Sequence, residues 1–164
     1  MQPTIGFQAL DVVTSDQTPQ FSLGTVAGAE TDDGYKEYMY VKAGAAITGR
    51  GYFCQVYGDN LAIMMTTGTS GGGIGTRCGP ALSAVAVGDF FWIQVRGKGP
   101  CRVGSAIPVG AQLVSSASAG VLDDGQTVGF EFINGVYIAV ANVGAGATVE
   151  DIWYTYPTVG ISIT

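Results

Sequence analysis

Histidine is absent from the sequence, and charged side chains are scarce. The 164 residues contain no His, and 7 Lys and Arg stand against 13 Asp and Glu, for a net charge of −6. Because histidine is the most frequent general base, its absence argues against catalysis by a serine or cysteine nucleophile. It also excludes a Cys/His zinc site. The acidic balance argues against nucleic acid as a partner, since a nucleic-acid surface belongs to a net basic domain.

Cysteine and long hydrophobic runs are also in short supply. The three cysteines, Cys54, Cys78 and Cys101, are an odd number at wide spacing, which argues against a disulfide framework, so we predict buried free thiols. No window supplies the roughly 18 apolar residues that a membrane-spanning helix needs. The first ten residues lack the basic start and apolar core of a secretory signal. These features predict no membrane partner and synthesis in the cytoplasm.

Glycine, by contrast, is abundant. It accounts for 26 of the 164 residues, and most glycines separate short apolar runs, which is typical of many turns. The charged solvent faces of long helices are missing. We therefore predict an all-β fold: a single domain over residues 1–164, built as an antiparallel β-sandwich or a barrel, jelly-roll-like, with long Gly-rich loops. Residues 1–20 are the candidate for a flexible N-terminal segment.

Two segments show the period of a β-strand most clearly. In residues 35–42, mostly apolar side chains alternate with two tyrosines framed by lysines. In residues 90–96, Phe91, Ile93 and Val95 form an apolar set, and the alternate set mixes aromatic and polar side chains. We expect the apolar set of each strand to face the core.

Turn residues predict where the chain reverses. Gly58 to Asn60 link two apolar runs as a hairpin, and Asn134-Gly135 carries the signature of a type I′ hairpin turn. The tail, residues 157–164, alternates apolar with small or polar residues and predicts a strand with one apolar face.

Three further segments suggest binding motifs, but their residues fit loops and turns better. The glycine run at residues 66–80 has no Lys followed by Ser or Thr, as a phosphate-binding loop requires, so we predict a surface loop that orders against a partner. Asp32-Asp33 and Asp123-Asp124 are each followed by Gly, which is ordinary turn chemistry. A weak calcium site that uses backbone oxygens at these turns stays an open alternative.

Aromatic and basic side chains supply the candidate functional surface. They lie in three strand-like segments, as Tyr38, Tyr40, Trp92, Arg96, Trp153, Tyr154 and Tyr156. Such residues stack on sugars, anchor interfaces, or simply fill cores and sheet edges. We favour an interface with sister subunits or a larger partner, because an uncharged, glycine-rich surface is prone to aggregate when it is left uncovered.

Several motifs follow one another in a definite order along the chain. "FSLGTVAG" precedes "DDGYKEYMYVKAGAAITGRG", and "GDFFWIQVRG", "AGVLDDG" and a closing hydrophobic hairpin follow. This order resembles that of the small decoration, or cement, proteins of tailed-bacteriophage heads. The resemblance covers about residues 21–143, and the matching positions are structural: Tyr38, Tyr40, Val41, Trp92, Gln94 and Arg96.

The resemblance implies a structural virion protein without catalytic residues or cofactor. Such proteins are commonly homotrimers that bind the major capsid protein on the outer surface of the assembled shell and stabilise it. The expected location is therefore the capsid exterior. The alternative is a carbohydrate-binding module of a virion fibre or surface protein, with Trp153, Tyr154 and Tyr156 as stacking platforms.

Overall fold

The computed structural model describes residues 12–104, 107–125, 128–138 and 148–163, and nearly all of its regular structure is β. The strands within these residues are β1 (Val26–Thr31), β2 (Gly34–Ala43), β3 (Phe53–Val56), β4 (Leu61–Met64), β5 (Cys78–Pro80), β6 (Phe90–Val103), β7 (Val114–Ser115), β8 (Leu122–Asp123), β9 (Glu131–Tyr137) and β10 (Thr148–Ser162). One helical turn, α1 (Thr67–Ser70), lies between β4 and β5. The predicted all-β fold is confirmed.

The ten strands belong to one mixed sheet. Its order is β10-β9-β7-β8-β6-β2-β4-β3-β5, with β1 paired to β2 and a further pairing between β10 and β6. Because β6 pairs with both β8 and β10, strands β10, β9, β7, β8 and β6 form a closed circuit, which is barrel-like. Most of the pairings are antiparallel, as expected, but β2–β4 and β6–β8 are parallel, so the sheet is mixed. Strand β4, the second strand of the β3–β4 hairpin, runs in the same direction as β2 and pairs with it.

Strand β6 joins the two halves of the core. Its residues Phe91, Ile93 and Val95 are buried in one apolar cluster with side chains of β2, β3 and β4, as predicted. Further along, Cys101 and Val103 belong to a second cluster inside the closed circuit. Strands β8, β9 and β10 of the circuit also contribute buried side chains to this cluster, among them Leu122, Ile133, Ile152 and Val159.

The outer side of the β2–β6 pair is also buried. Tyr40 and Trp92 lie opposite each other on the two strands, with ring centroids 4.9 Å apart. Phe21 packs edge-on against Trp92 at 5.2 Å, and Val12 completes the cluster. Residues 12–29 therefore cover this side of the sheet. Of the candidate flexible segment, residues 1–11 lie outside the described residues, and Asp16 pairs with Phe90 through two backbone hydrogen bonds.

Two of the predicted reversals are confirmed. Strands β3 and β4 form an antiparallel hairpin in which Asn60 adopts a φ of 56°. Asp32 and Asp33 form the two-residue connection between β1 and β2, where Thr31 pairs with Gly34.

The predicted hairpin turn at Asn134-Gly135 is wrong. Strand β9 runs straight through both residues and pairs with β10, with a bulge between the pairs Val136–Tyr154 and Asn134–Thr158. Gly135 adopts a φ of 74° at this bulge. The tolerance of glycine for left-handed backbone, which suggested a turn, is used here in a bulge. The proposed second arm, from residue 139 onward, lies outside the described residues.

The tail follows its predicted alternation only in part. Val159 is buried, but Ile161 is 68% exposed. A register shift between Val159 and Ser162 interrupts the alternation, because a bulge moves the following side chains to the other face of the strand.

The glycine run is folded against the rest of the chain, contrary to the prediction of a loop that orders only on a partner. Thr66 caps α1, with reciprocal hydrogen bonds between Thr66 and Thr69. Ser70, the last residue of α1, is buried and donates its hydroxyl to Glu131 of β9. The run then returns to the sheet as β5, which pairs with β3.

Candidate interface on the outer side of the sheet

The structure divides the seven predicted surface residues into two groups. Tyr38, Tyr40, Trp92 and Tyr154 are at most 4% exposed, so their assignment to an interface is corrected: they are core residues of the protomer. The alternation of side chains predicted an exposed face for the first three residues. That face is covered by residues 12–29, and alternation within a strand cannot show which segment packs on it. Tyr154 points into the closed circuit and donates its hydroxyl to the Pro100 carbonyl at 2.7 Å. Arg96, Trp153 and Tyr156 are exposed.

Trp153 is one of two large aromatic side chains that share an exposed patch. It lies directly opposite Tyr137 in the β10–β9 pairing, and on its other side it faces Lys98 of β6. Trp153 is 44% and Tyr137 56% exposed. Residues opposite each other in an antiparallel pair lie on the same face, with Cβ atoms about 5 Å apart. We call the surface formed by Lys98, Tyr137, Asp151 and Trp153 the Trp153 face.

Charged groups lie beside the two rings. The Asp151 carboxylate is 3.8 Å from Lys98 Nζ and 3.9 Å from an Arg50 guanidinium nitrogen. All three side chains are more than one third exposed, so the ion pairs add little to stability. They instead place hydrogen-bond donors and acceptors on the β6 side of Trp153, opposite Tyr137, as part of a polar rim would.

Arg96 and Tyr156 are brought together a short distance away, on Glu37. Arg96 Nη1 donates to Glu37 Oε1 at 3.2 Å, and the Tyr156 hydroxyl donates to Glu37 Oε2. The bond to the carboxylate raises the pKa of the Arg96 guanidinium and that of the Tyr156 hydroxyl, because it stabilises the protonated form of each. We call Glu37, Arg96 and Tyr156 the Glu37 cluster.

The backbone of Tyr156 is unusual. Its φ is 52°, and apart from Asn60 it is the one non-glycine residue with positive φ in the described part of the chain. An aromatic residue in this region is strained, at a cost of about 1 kcal/mol or more. The bulge in β10 and the bond to Glu37 hold this conformation. Strain of this kind is concentrated at binding sites, which directs attention to the surface around Tyr156.

Candidate chemistry elsewhere is structural. Within the described ranges, no group of three or more His, Cys, Asp or Glu side chains is placed to hold a metal ion. Asp123 accepts a hydrogen bond from the Asp124 amide at 2.8 Å, and Lys36 forms an ion pair with Asp33 at 3.3 Å. Asp32 and Asp33 thus form a turn, as predicted, whereas Asp123 is the last residue of β8 and the predicted turn at Asp123-Asp124 is not present. The hypothesis of a weak calcium site has no further support from these contacts.

The three cysteines are free and buried, as predicted. Burial raises the pKa of Cys54 and of Cys101 to about 12, because the low-polarity core disfavours the thiolate. The pKa of Cys78 is also raised well above its ordinary value, first by burial and then by the two neighbouring thiols. Reactive cysteines have lowered pKa values, so these thiols fill the core.

Two residues were missed by sequence reasoning. Tyr137 becomes part of the Trp153 face only through the register of β9 on β10, which local pattern does not reveal. Glu131 is a buried carboxylate that accepts hydrogen bonds from Ser70 and, at 2.9 Å, from Ser115. A lone Glu in the apolar run of residues 130–133 was the available signal, since buried carboxylates require partners.

The fold and surface together define a single-domain, all-β protein with an exposed aromatic face. Comparison of the chain with protein-family models, with curated proteins and with solved structures finds no match. Across the described residues, none of the helical structure is long and apolar enough to cross a membrane.

Proposed function

We propose that the protein is a non-catalytic structural protein of a virion. In this proposal it forms a homotrimer that binds the major capsid protein on the outer surface of an assembled phage head and stabilises the shell. The Trp153 face is the observation that carries the proposal, because it presents two exposed aromatic rings on paired strands. The motif order that resembles decoration proteins supplies the class of partner.

The composition of the Trp153 face suits an interface. Trp and Tyr are enriched among the residues that dominate binding energy, and they are most effective where surrounding groups exclude water. Lys98, Asp151 and Arg50 form part of such a rim on the β6 side of Trp153. The two rings lie on β9 and β10, which are paired strands of the closed circuit. Binding therefore costs little conformational entropy, because the backbone of this face is already ordered.

Stabilisation of a shell requires binding and no chemistry. A protein that binds only the assembled lattice lowers the free energy of that state by mass action. Three linked copies engage neighbouring capsid subunits together, so modest contacts at each face add up to high avidity. The arrangement of the described residues, in which the potential nucleophiles Cys54, Cys78 and Cys101 are buried, is in keeping with this role.

The experiment has two stages, oligomeric mass and binding to undecorated capsids. Light scattering at several dilutions is expected to give about three times the 16.8 kDa of the chain. Co-sedimentation with undecorated phage heads is then compared for the parent chain, Trp153→Ala and Tyr137→Ala. Val87→Ser is the matched control, since Val87 is 65% exposed and lies in a turn away from the Trp153 face.

The expected result is at least a tenfold loss of capsid binding or of trimer stability for the two aromatic variants, with the control unchanged. The proposed function is wrong if the protein is a monomer and does not bind the undecorated heads of any phage tested. If all variants bind capsids equally well, the Trp153 face does not contact the capsid.

The second candidate function is carbohydrate binding, and the same face favours it. Planar rings stack on sugar faces, and the Asp151 carboxylate offers an acceptor for sugar hydroxyls beside Trp153. The predicted platform is corrected in one respect: Tyr137 takes the place of the buried Tyr154.

Tryptophan fluorescence separates the two functions. The chain has two tryptophans, and Trp92 is 2% exposed, so a sugar added in solution reports through Trp153. A saturable change in emission, lost in Trp153→Phe, would favour a carbohydrate-binding module. No change across a glycan panel, together with capsid binding, would leave the decoration role.

A further inference from the structure

A cavity of about 400 Å³ lies next to the Glu37 cluster, where β1, β2, β6 and β10 converge with the residue before β5. Four apolar side chains form most of its wall, namely Val26, Met39, Val95 and Pro157. Met39, Val95 and Pro157 are buried, while Val26 is 45% exposed at the opening. The volume is within the range of about 300–1,000 Å³ that small-molecule sites occupy.

Among the residues that the structure describes, Arg77 is the one charged residue that lines this cavity. Its backbone is fixed by a bridge to Thr158, and its guanidinium donates to the Met39 thioether at 3.3 Å. A thioether is a weak acceptor. Among the described residues no carboxylate lies within 4.0 Å of Arg77, whereas Arg50 and Arg96 each have a carboxylate partner. Arg77 is exposed, and it thus gives the cavity a cation with no carboxylate partner in the described part of the chain.

The nearby carboxylate of Glu37 does not cancel this charge. Glu37 is not part of the cavity wall, and both of its oxygens accept hydrogen bonds, one from Arg96 and one from Tyr156. Tyr156 itself lines the cavity, in the strained conformation described above. The net charge presented to the cavity is therefore that of Arg77.

We propose that this cavity binds a small organic carboxylate with an apolar body. The carboxylate would accept two parallel hydrogen bonds from the Arg77 guanidinium, which is the geometry that arginine offers to such groups. The apolar body would contact Met39, Val95 and Pro157 and displace water from them. This site is separate from the Trp153 face and does not depend on the proposed structural role.

Isothermal titration calorimetry with two matched probes tests the site. The probes are 3-phenylpropanoate and its neutral isostere 3-phenylpropanamide, titrated into the purified full chain. We expect saturable binding of the carboxylate, at least tenfold weaker binding of the amide, and weaker carboxylate binding as salt is raised. Arg77→Gln should weaken binding of the carboxylate at least tenfold, and Lys42→Gln, which removes a cation outside both the cavity and the Trp153 face, should leave it unchanged.

A second variant guards against a folding defect in Arg77→Gln. Val26→Phe fills the opening from a half-exposed position, keeps Arg77, and is expected to abolish binding without loss of thermal stability. Equal affinity for the acid and the amide would overturn the proposal. The same holds if the acid does not bind at about 10 mM, a concentration that would reveal even millimolar affinity. A Val26→Phe chain that binds as the parent does would overturn it as well.

Discussion

Trp153 and Tyr154 are consecutive residues of β10 with opposite environments. Trp153 is 44% exposed beside Tyr137, whereas Tyr154 is fully buried and donates its hydroxyl to the Pro100 carbonyl. Successive side chains of a strand point to opposite faces, so one residue serves the outer surface and the next serves the core. Substitution of each residue should therefore affect a different property of the protein.

Tyr154→Ala is expected to lower the free energy of unfolding by about 3–5 kcal/mol, the usual cost of truncating a buried aromatic residue. Trp153→Ala should change it by less than about 1 kcal/mol, because exposed substitutions remove few contacts. Urea unfolding followed by circular dichroism measures both. A Trp153→Ala chain as unstable as Tyr154→Ala would contradict the assignment of Trp153 to the surface. Trp92→Ala should resemble Tyr154→Ala, since Trp92 is buried by residues 12–29.

Gly135 and Gly110 form a matched pair for backbone strain. Their φ angles are 74° and 75°, but a Cβ on Gly135 would lie 2.6 Å from the Thr155 carbonyl oxygen, and a Cβ on Gly110 would meet nothing within 4 Å. Gly110→Ala should cost about 1 kcal/mol for the left-handed backbone alone. Gly135→Ala should cost clearly more, because β9 and β10 must separate at the bulge. Equal thermal midpoints for the two variants would count against the observed register.

The buried thiols predict a loss of stability at alkaline pH. The folded pKa of Cys54 and of Cys101 is about 12, against an ordinary value of 9.0. Between these values the unfolded chain releases protons that the folded chain keeps, so the free energy of unfolding falls as pH rises from 9 to 12. The contribution is fully present below pH 9.

Comparison of the parent chain with Cys54→Ala isolates the thiol contribution from that of the buried tyrosines, whose pKa values are also raised by burial. The variant should lose stability less steeply above pH 9. All three thiols should resist a disulfide reagent at pH 8 in the native protein and react in denaturant. Rapid labelling of the native chain would show that the thiols are accessible after all.

The hydrogen bonds of the Glu131 carboxylate predict that two serines, Ser70 of α1 and Ser115 of β7, contribute to the stability of the fold. Ser70 and Ser115 donate hydrogen bonds to it, and removal of either donor should lower the free energy of unfolding by about 1–3 kcal/mol, because a buried acceptor then loses a partner. Ser118→Ala is the control, since Ser118 is exposed. Chemical denaturation of Ser70→Ala, Ser115→Ala and Ser118→Ala measures the difference. Three equal midpoints would mean that the carboxylate is satisfied by other groups.

Local pattern was sufficient for several features of this protein. The scarcity of charge, the abundance of glycine and the alternation in residues 35–42 and 90–96 predicted an all-β chain and the buried set Phe91, Ile93 and Val95. The count and spacing of the cysteines predicted free, buried thiols. Such features depend on neighbours along the chain and on the preference of apolar groups for the interior, so they can be inferred without long-range contacts.

Long-range pairing decided the rest. Residues 12–29 cover Tyr40 and Trp92, which turns an expected interface into core, and the register of β9 on β10 places Tyr137 beside Trp153. The same pairing converts Asn134-Gly135 from a turn into a bulge. A strand's sequence fixes which side chains share a face, but which segment covers that face depends on contacts between residues far apart in the chain. The aromatic surface and the cavity beside Arg77 are products of that tertiary structure.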